Sequence, residues 1–92
     1  MTREEIDELA DNMGARVPVL DNGQSNFDST IVGYVDAPGG FRVVYDYEKC
    51  IQSLMDNDKM TRKDAEEFFD FNTVRALPYM GVLHPLILHT EL

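Results

Sequence analysis

From Phe41 to Asp46 the chain has the period of a strand: Phe41, Val43 and Tyr45 alternate with Arg42, Val44 and Asp46, the pattern of a half-buried β-segment. The period then changes. Tyr47, Cys50, Ile51, Leu54 and Met55 fall at i, i+3, i+4, i+7 and i+8 on one helix face, and Glu48, Lys49 and Gln52 face away. Asp46 stands at the junction and suits an N-cap, because its carboxylate accepts from N–H groups that a first helical turn leaves free. Asp56-Asn57-Asp58 favour local backbone bonds and are expected to end this helix. Thr61 begins another, with Asp64 as a shorter version of the capping-box acid. Ala65, Phe68, Phe69, Asn72 and Ala76 share its apolar stripe, and Lys63, Glu66, Glu67 and Asp70 are expected to face solvent. Phe71 and Val74 lie off that stripe, so this helix is either buried on two sides or meets a partner on one. Pro78 is expected to stop it at or near Leu77, since the residue before proline avoids the α region.

The flanking segments complete the pattern. Thr2 and Glu5 form a T-x-x-E capping box ahead of Ile6, Leu9, Ala10 and Met13, which predicts a first helix ending at Gly14. Ala15 to Asn26 reads as an irregular arm that lays Val19 and Leu20 on the core, with a turn at Asp21-Asn22-Gly23. Phe27 to Asp36 reads as a strand carrying Ile31, Val32, Tyr34 and Val35, and Gly33 inside it suggests a bulge. Ala37-Pro38-Gly39-Gly40 is a hairpin turn into the Phe41 strand. After Pro78 comes an apolar loop through Pro85, and Leu86 to Thr90 can form a last strand. Together these elements predict one α+β domain over 1–92. A helix covers 1–14, and a core over 27–90 holds a small three-stranded, mainly antiparallel sheet with two to three helices packed on one face.

Charge narrows the function classes. Seventeen acids against eight bases give a net charge of −9, spread along the chain. No basic stripe exists to displace counterions from phosphates, so direct nucleic-acid binding is disfavoured. Such charge either keeps the chain soluble or complements a basic protein surface, including one that normally holds nucleic acid. No apolar run is long enough to span a membrane, and the polar start is unlike a secretory signal. The single cysteine, Cys50, sits on an apolar helix face and reads as a buried thiol. A cytoplasmic location is expected.

No catalytic motif is present. Asp56, Asp58, Asp64 and Glu67 match four positions of a calcium loop, but Met60 supplies no oxygen at the fifth and Thr61 replaces the glycine at the sixth. A helix-turn-helix reading of the two central helices would turn Asp64, Glu66, Glu67 and Asp70 toward phosphates. His84, His89 and Cys50 lack metal-ligand spacing. Asp28, Asp36 and Asp46 have no nucleophile or substrate cradle beside them. The chain is therefore expected to need no cofactor and no metal, and not to be an enzyme.

The motifs F-D-x-x-I-x-G at Phe27–Gly33, V-Y-D-Y-E-K-C at Val44–Cys50, M-T at Met60-Thr61, A-x-E-x-F-x-F-N at Ala65–Asn72 and G-x-x-x-P at Gly81–Pro85 stand in order. This layout resembles a group of small uncharacterised proteins of phages, prophages and bacterial genomes, over roughly Phe27 to Leu88. Many members have a shorter link with Gly-Ala where this chain has Thr73 to Pro78. The resemblance implies a fold and a viral setting, and it carries no activity and no site residue.

The expected function is that of an acidic interaction protein that binds and inhibits or redirects a host protein, for instance a nucleic-acid-binding defence complex. Asp64, Glu66, Glu67 and Asp70 are the expected acidic contact, and Tyr79 and Met80 the apolar one, since tyrosine and methionine are enriched in interface cores. The alternative is a self-associating accessory protein, a homodimer closed by Phe71, Val74 and the proline loop.

Overall fold

The computed structural model describes residues 1–20 and 27–90. The turn expected at Asp21-Asn22-Gly23 lies outside them. Strand β1 (Ile31–Ala37) and strand β2 (Gly40–Asp46) pair antiparallel, with Ala37 opposite Gly40 and Pro38-Gly39 at the corner. Gly39 has φ +86°, a conformation that glycine adopts without a Cβ penalty. The register shifts between Ile31 and Gly33, which is the bulge that Gly33 suggested. Strand β3 (Leu86–Leu88) pairs with β2 in parallel, so the order is β1-β2-β3 and the sheet is mixed. The parallel pairing follows from the connection: the chain crosses through two helices before it returns to the sheet. The α+β class holds.

Helix α1 (Arg3–Met13) starts on the complete Thr2–Glu5 capping box and stops at Gly14, whose φ is +65°. Helix α2 (Tyr47–Asn57) starts where Asp46 accepts from the Lys49 N–H at 2.9 Å. Helix α3 (Arg62–Asn72) starts where Thr61 accepts from the Asp64 N–H at 3.2 Å. Phe41, Val43 and Tyr45 on β2 have no solvent exposure, and Ile6, Cys50, Ile51, Leu54, Ala65 and Phe69 close over them. Phe69 takes the edges of Phe27 and Tyr47 at centroid distances of 5.6 and 5.7 Å. The arm contributes Leu20, whose N–H donates to the buried Tyr45 hydroxyl at 3.0 Å.

Three boundaries and one face position differ from the sequence reading. Phe27 precedes the strand, because Thr30 bonds the Phe27 carbonyl through both its N–H and its hydroxyl and folds Asp28–Thr30 into a 3₁₀ turn. Met13 lies exposed at the end of α1. The last strand stops at Leu88, short of His89 and Thr90. Helix α3 ends at Asn72 rather than Leu77, where the Asn72 amide donates to the Phe68 carbonyl. Val74–Met80 continues as a 3₁₀ helix with Pro78 inside it. Asn72 and Ala76 are consequently exposed. A 3₁₀ helix repeats every three residues, and Val74, Leu77 and Met80 accordingly turn toward the core while Arg75, Ala76, Pro78 and Tyr79 turn out.

Replacing Tyr45 with Phe removes the acceptor of a buried N–H, which is expected to cost about 1–3 kcal/mol in denaturant unfolding. Burial also pushes the Tyr45 phenol up from 10.0 to about 12. The folded state therefore keeps a proton that the unfolded chain loses, and stability is full below pH 10.0 and falls as pH rises to about 12. Unfolding curves across that window are expected to show the loss, and Tyr45→Phe is expected to flatten it.

Candidate interaction surface

Helix α3 divides its side chains by angle. With Ala65 and Phe69 against the core, position 67 points directly outward, 64 and 71 lie beside it on one flank and 63 and 70 on the other, and 62 and 66 continue that second flank toward the core. The second flank faces α2. There Arg62 spans the gap: its two terminal nitrogens donate to the two Glu48 carboxylate oxygens at 2.7 Å each, and its Nε donates to Glu66 at 3.1 Å. This fork-on-carboxylate geometry fixes the direction of the guanidinium, and both carboxylates hold its pKa well above the ordinary arginine value.

The four expected acidic contacts therefore separate. Glu66 is half-buried and engaged by Arg62. Asp64, Glu67 and Asp70 are exposed, and they give the outward side of α3 three carboxylates against the single ammonium of Lys63. The apolar pair separates too. Met80 packs against the core, whereas Tyr79 is 90 % exposed. Their 3₁₀ phase explains the difference, since Met80 follows Val74 and Leu77 at three-residue spacing and Tyr79 does not. The same phase turns Val74 inward, away from the side on which Phe71 lies.

Two exposed apolar residues stand outside the expected acidic and apolar contacts, although the sequence set Phe71 off the α3 stripe and Val82 within the proline loop. Phe71, at the end of α3, is 65 % exposed, and the Arg75 guanidinium lies 5.2 Å from its ring centroid. Val82, in the loop before β3, is 85 % exposed. That loop is tied down. Arg42 on β2 donates from Nε to the His84 carbonyl at 2.8 Å, and its terminal nitrogen lies 2.8 Å from the His84 ring. Leu83 packs against Gly40, where a Cβ would meet its Cδ1 at 3.0 Å. Phe71, Tyr79 and Val82 thus stand on supported backbone with their apolar surface in water. A three-residue period through Val74, Leu77 and Met80 was the signal that could have separated Tyr79 from Met80.

The other candidate residues have structural partners or lie apart. Asp46 caps α2, Asp28 pairs with Arg3 at 3.4 Å, and Asp36 is exposed on β1. Asp56 accepts from the Gln52 amide, and Asp58 follows α2 as its C-cap. His84 sits on Arg42, and His89 stacks on Tyr47 at 4.4 Å. Cys50 lies buried against the Thr30 hydroxyl at 3.2 Å. Among the described residues no three His, Cys, Asp or Glu side chains converge to hold a metal ion. No described helix is long and apolar enough to cross a membrane. A hollow of about 220 Å³ beside the Arg62 bridge is lined by Tyr47, Glu48, Glu66, His89 and Thr90, but its arginine and both acids already satisfy one another.

Comparison with protein-family models, with curated proteins and with solved structures finds no match to this chain.

Burial pushes the Cys50 thiol up from 9.0 to about 11. At pH 8 its thiolate fraction is then about 100-fold below that of a thiol at its ordinary value. Native protein is expected to resist a thiol-labelling reagent by at least about that factor, and to label fully once denaturant is added. Rapid native labelling would show that the α2 face opens.

Proposed function

We propose that this chain is a small acidic interaction protein that docks on a basic protein surface through α3 and the segment following it. The carrying observation is Tyr79, almost fully exposed on a short helix that Val74, Leu77 and Met80 hold against the core. An exposed aromatic on a rigid backbone is the kind of side chain that anchors interfaces, because its ring brings a large contact area with only two rotatable side-chain bonds to fix. Phe71 and Val82 extend the apolar contact. Asp64, Glu67 and Asp70 supply the field that steers a basic partner, and Glu66 adds to it from within the Arg62 bridge.

The resemblance of Phe27 to Leu88 to small phage and prophage proteins supports a host-directed role in the host cytoplasm. In that setting the partner is a host protein whose basic site ordinarily holds nucleic acid, as in a defence complex, and occupation of that site inhibits or redirects it. Carboxylates on an exposed helix suit such a site, since they present negative charge where phosphates would lie. The role requires no chemistry from the chain itself.

The test is affinity capture from host lysate, followed by titration of the purified partner. Wild-type binding is expected to be saturable and to weaken with salt. Tyr79→Ala is expected to weaken it about 10-fold or more, with an unchanged melting curve. Asp64→Asn, Glu67→Gln and Asp70→Asn together are expected to slow association and flatten the salt dependence. Absence of any saturable partner at low and physiological salt would overturn the reading, as would a partner indifferent to both sets of substitutions.

A further inference from the structure

Thr73, Ala76 and Tyr79 form an outward row along the 3₁₀ segment, three residues apart. The Ala76 N–H donates to the Thr73 carbonyl at 3.1 Å and closes one such turn. Thr73 and Ala76 make one wall of a hollow of about 230 Å³. Val19 and Met80 stand around it, and the buried Leu20 and Phe27 form its base. Asn72 completes the lining. Tyr79 lies about 6 Å beyond Ala76 along the helix axis, one turn past that wall.

Four features of the hollow select what fits it. The first is size: a cavity of about 150 Å³ holds one benzene ring, so this one has room for two fused rings. The second is charge. None of its lining residues is ionisable, although the chain as a whole carries −9, so it favours a neutral group. The third is the apolar lining. Water inside would find few hydrogen bonds, and apolar atoms would supply contacts that the walls lack. The Phe27 ring and the Met80 thioether favour an aromatic over an aliphatic occupant. The fourth is a single acceptor. The Asn72 amide nitrogen donates to the Phe68 carbonyl at 3.1 Å, which leaves the amide oxygen without a partner among the described residues.

We propose that this hollow is a socket for one neutral bicyclic aromatic ring with an N–H donor at its edge, an indole, carried as a tryptophan side chain by the protein that docks on Tyr79. The site stands on the chemistry of the hollow, and the source of the ring rests on the docking reading. Tyr79 is then a knob and the hollow a socket one turn away. An aromatic anchor seated in a water-excluding pocket is the usual form of an interface hot spot.

Free indole is the probe. The chain holds no tryptophan, so indole fluorescence reports on the probe alone. Binding to the full chain is expected to saturate at one site, with Kd of about 1 mM or below. Indene has the same shape without the N–H, and is expected to displace indole about 10-fold less well. Asn72→Ala is expected to erase that difference. Ala76→Leu fills the hollow and is expected to abolish indole binding without lowering the melting temperature. The same substitution is expected to weaken the captured partner about 10-fold or more, and free indole to compete with that partner. Indole that fails to saturate, or that binds Ala76→Leu as well as wild type, would overturn the proposal. So would indene binding as tightly as indole, or a partner indifferent to both Ala76→Leu and indole. Tyr79→Ala is expected to leave indole binding unchanged. Saturable indole binding with no partner captured would support the socket and overturn the docking reading alone.

Discussion

The inward side of β2 is where α1, the arm, β1, α2 and α3 meet, and the three side chains it presents there, Phe41, Val43 and Tyr45, have no exposure to water. Burial of a large apolar side chain contributes about 1.5–3 kcal/mol, and a domain of this size has little surplus over the entropy of ordering its chain. The core can therefore hold few polar atoms, and each must be satisfied. The Tyr45 hydroxyl accepts from Leu20, the Thr30 hydroxyl donates to the Phe27 carbonyl, and no described buried side-chain polar atom lacks a partner. The Tyr45 bond has a second effect. It fixes the described part of the arm, residues 15–20, which form no strand, to the middle of the sheet.

The same packing decides what faces water. Ala65 and Phe69 must reach the β2 face, so the orientation of α3 is set, and Arg62 locks the remaining freedom by joining α3 to α2 through Glu48. Asp64, Glu67 and Asp70 then have no inward alternative. Along Val74–Met80 the core again dictates the outside. A 3₁₀ helix that buries Val74, Leu77 and Met80 must expose the residues between them, and Tyr79 is one of these. Its exposure follows from its neighbours' burial.

Much of this was legible in the chain because the relevant signals are local. The Thr2, Asp46 and Thr61 caps, the Gly33 bulge and the Pro38-Gly39 corner depend on residues within a few positions of one another. The faces of β2 and α2 followed from periods of two and 3.6. What escaped was tertiary. The parallel register of β3 depends on where two helices return the chain. Pro78 marks where an α-helix must stop, whereas the chain leaves α geometry earlier, at Asn72, and carries the proline inside a 3₁₀ segment. That shift of phase is why Met80 and Tyr79, adjacent in sequence, end on opposite sides. The Arg62 bridge that engages Glu66 escaped for a similar reason, since nothing in the sequence of α3 alone reveals Glu48 across the groove.

Exposed apolar side chains are ordinary on small proteins and by themselves argue nothing. What distinguishes those on β1 and around Tyr79 is the rigidity beneath them. Val35 stands on a strand whose backbone is laddered to β2, and Tyr79 lies between Leu77 and Met80, which pack on the core. Met1 and Met13, also exposed, stand at or beyond the ends of a helix with no such support. Binding through a floppy side chain must first order it, at about 0.5–1.5 kcal/mol for each one immobilised. A fixed backbone leaves that side-chain cost in place but spares the further cost of ordering the chain beneath, about 1–2 kcal/mol for each residue. In an acidic body, charge then acts on them: a surface flanked by carboxylates favours a basic partner.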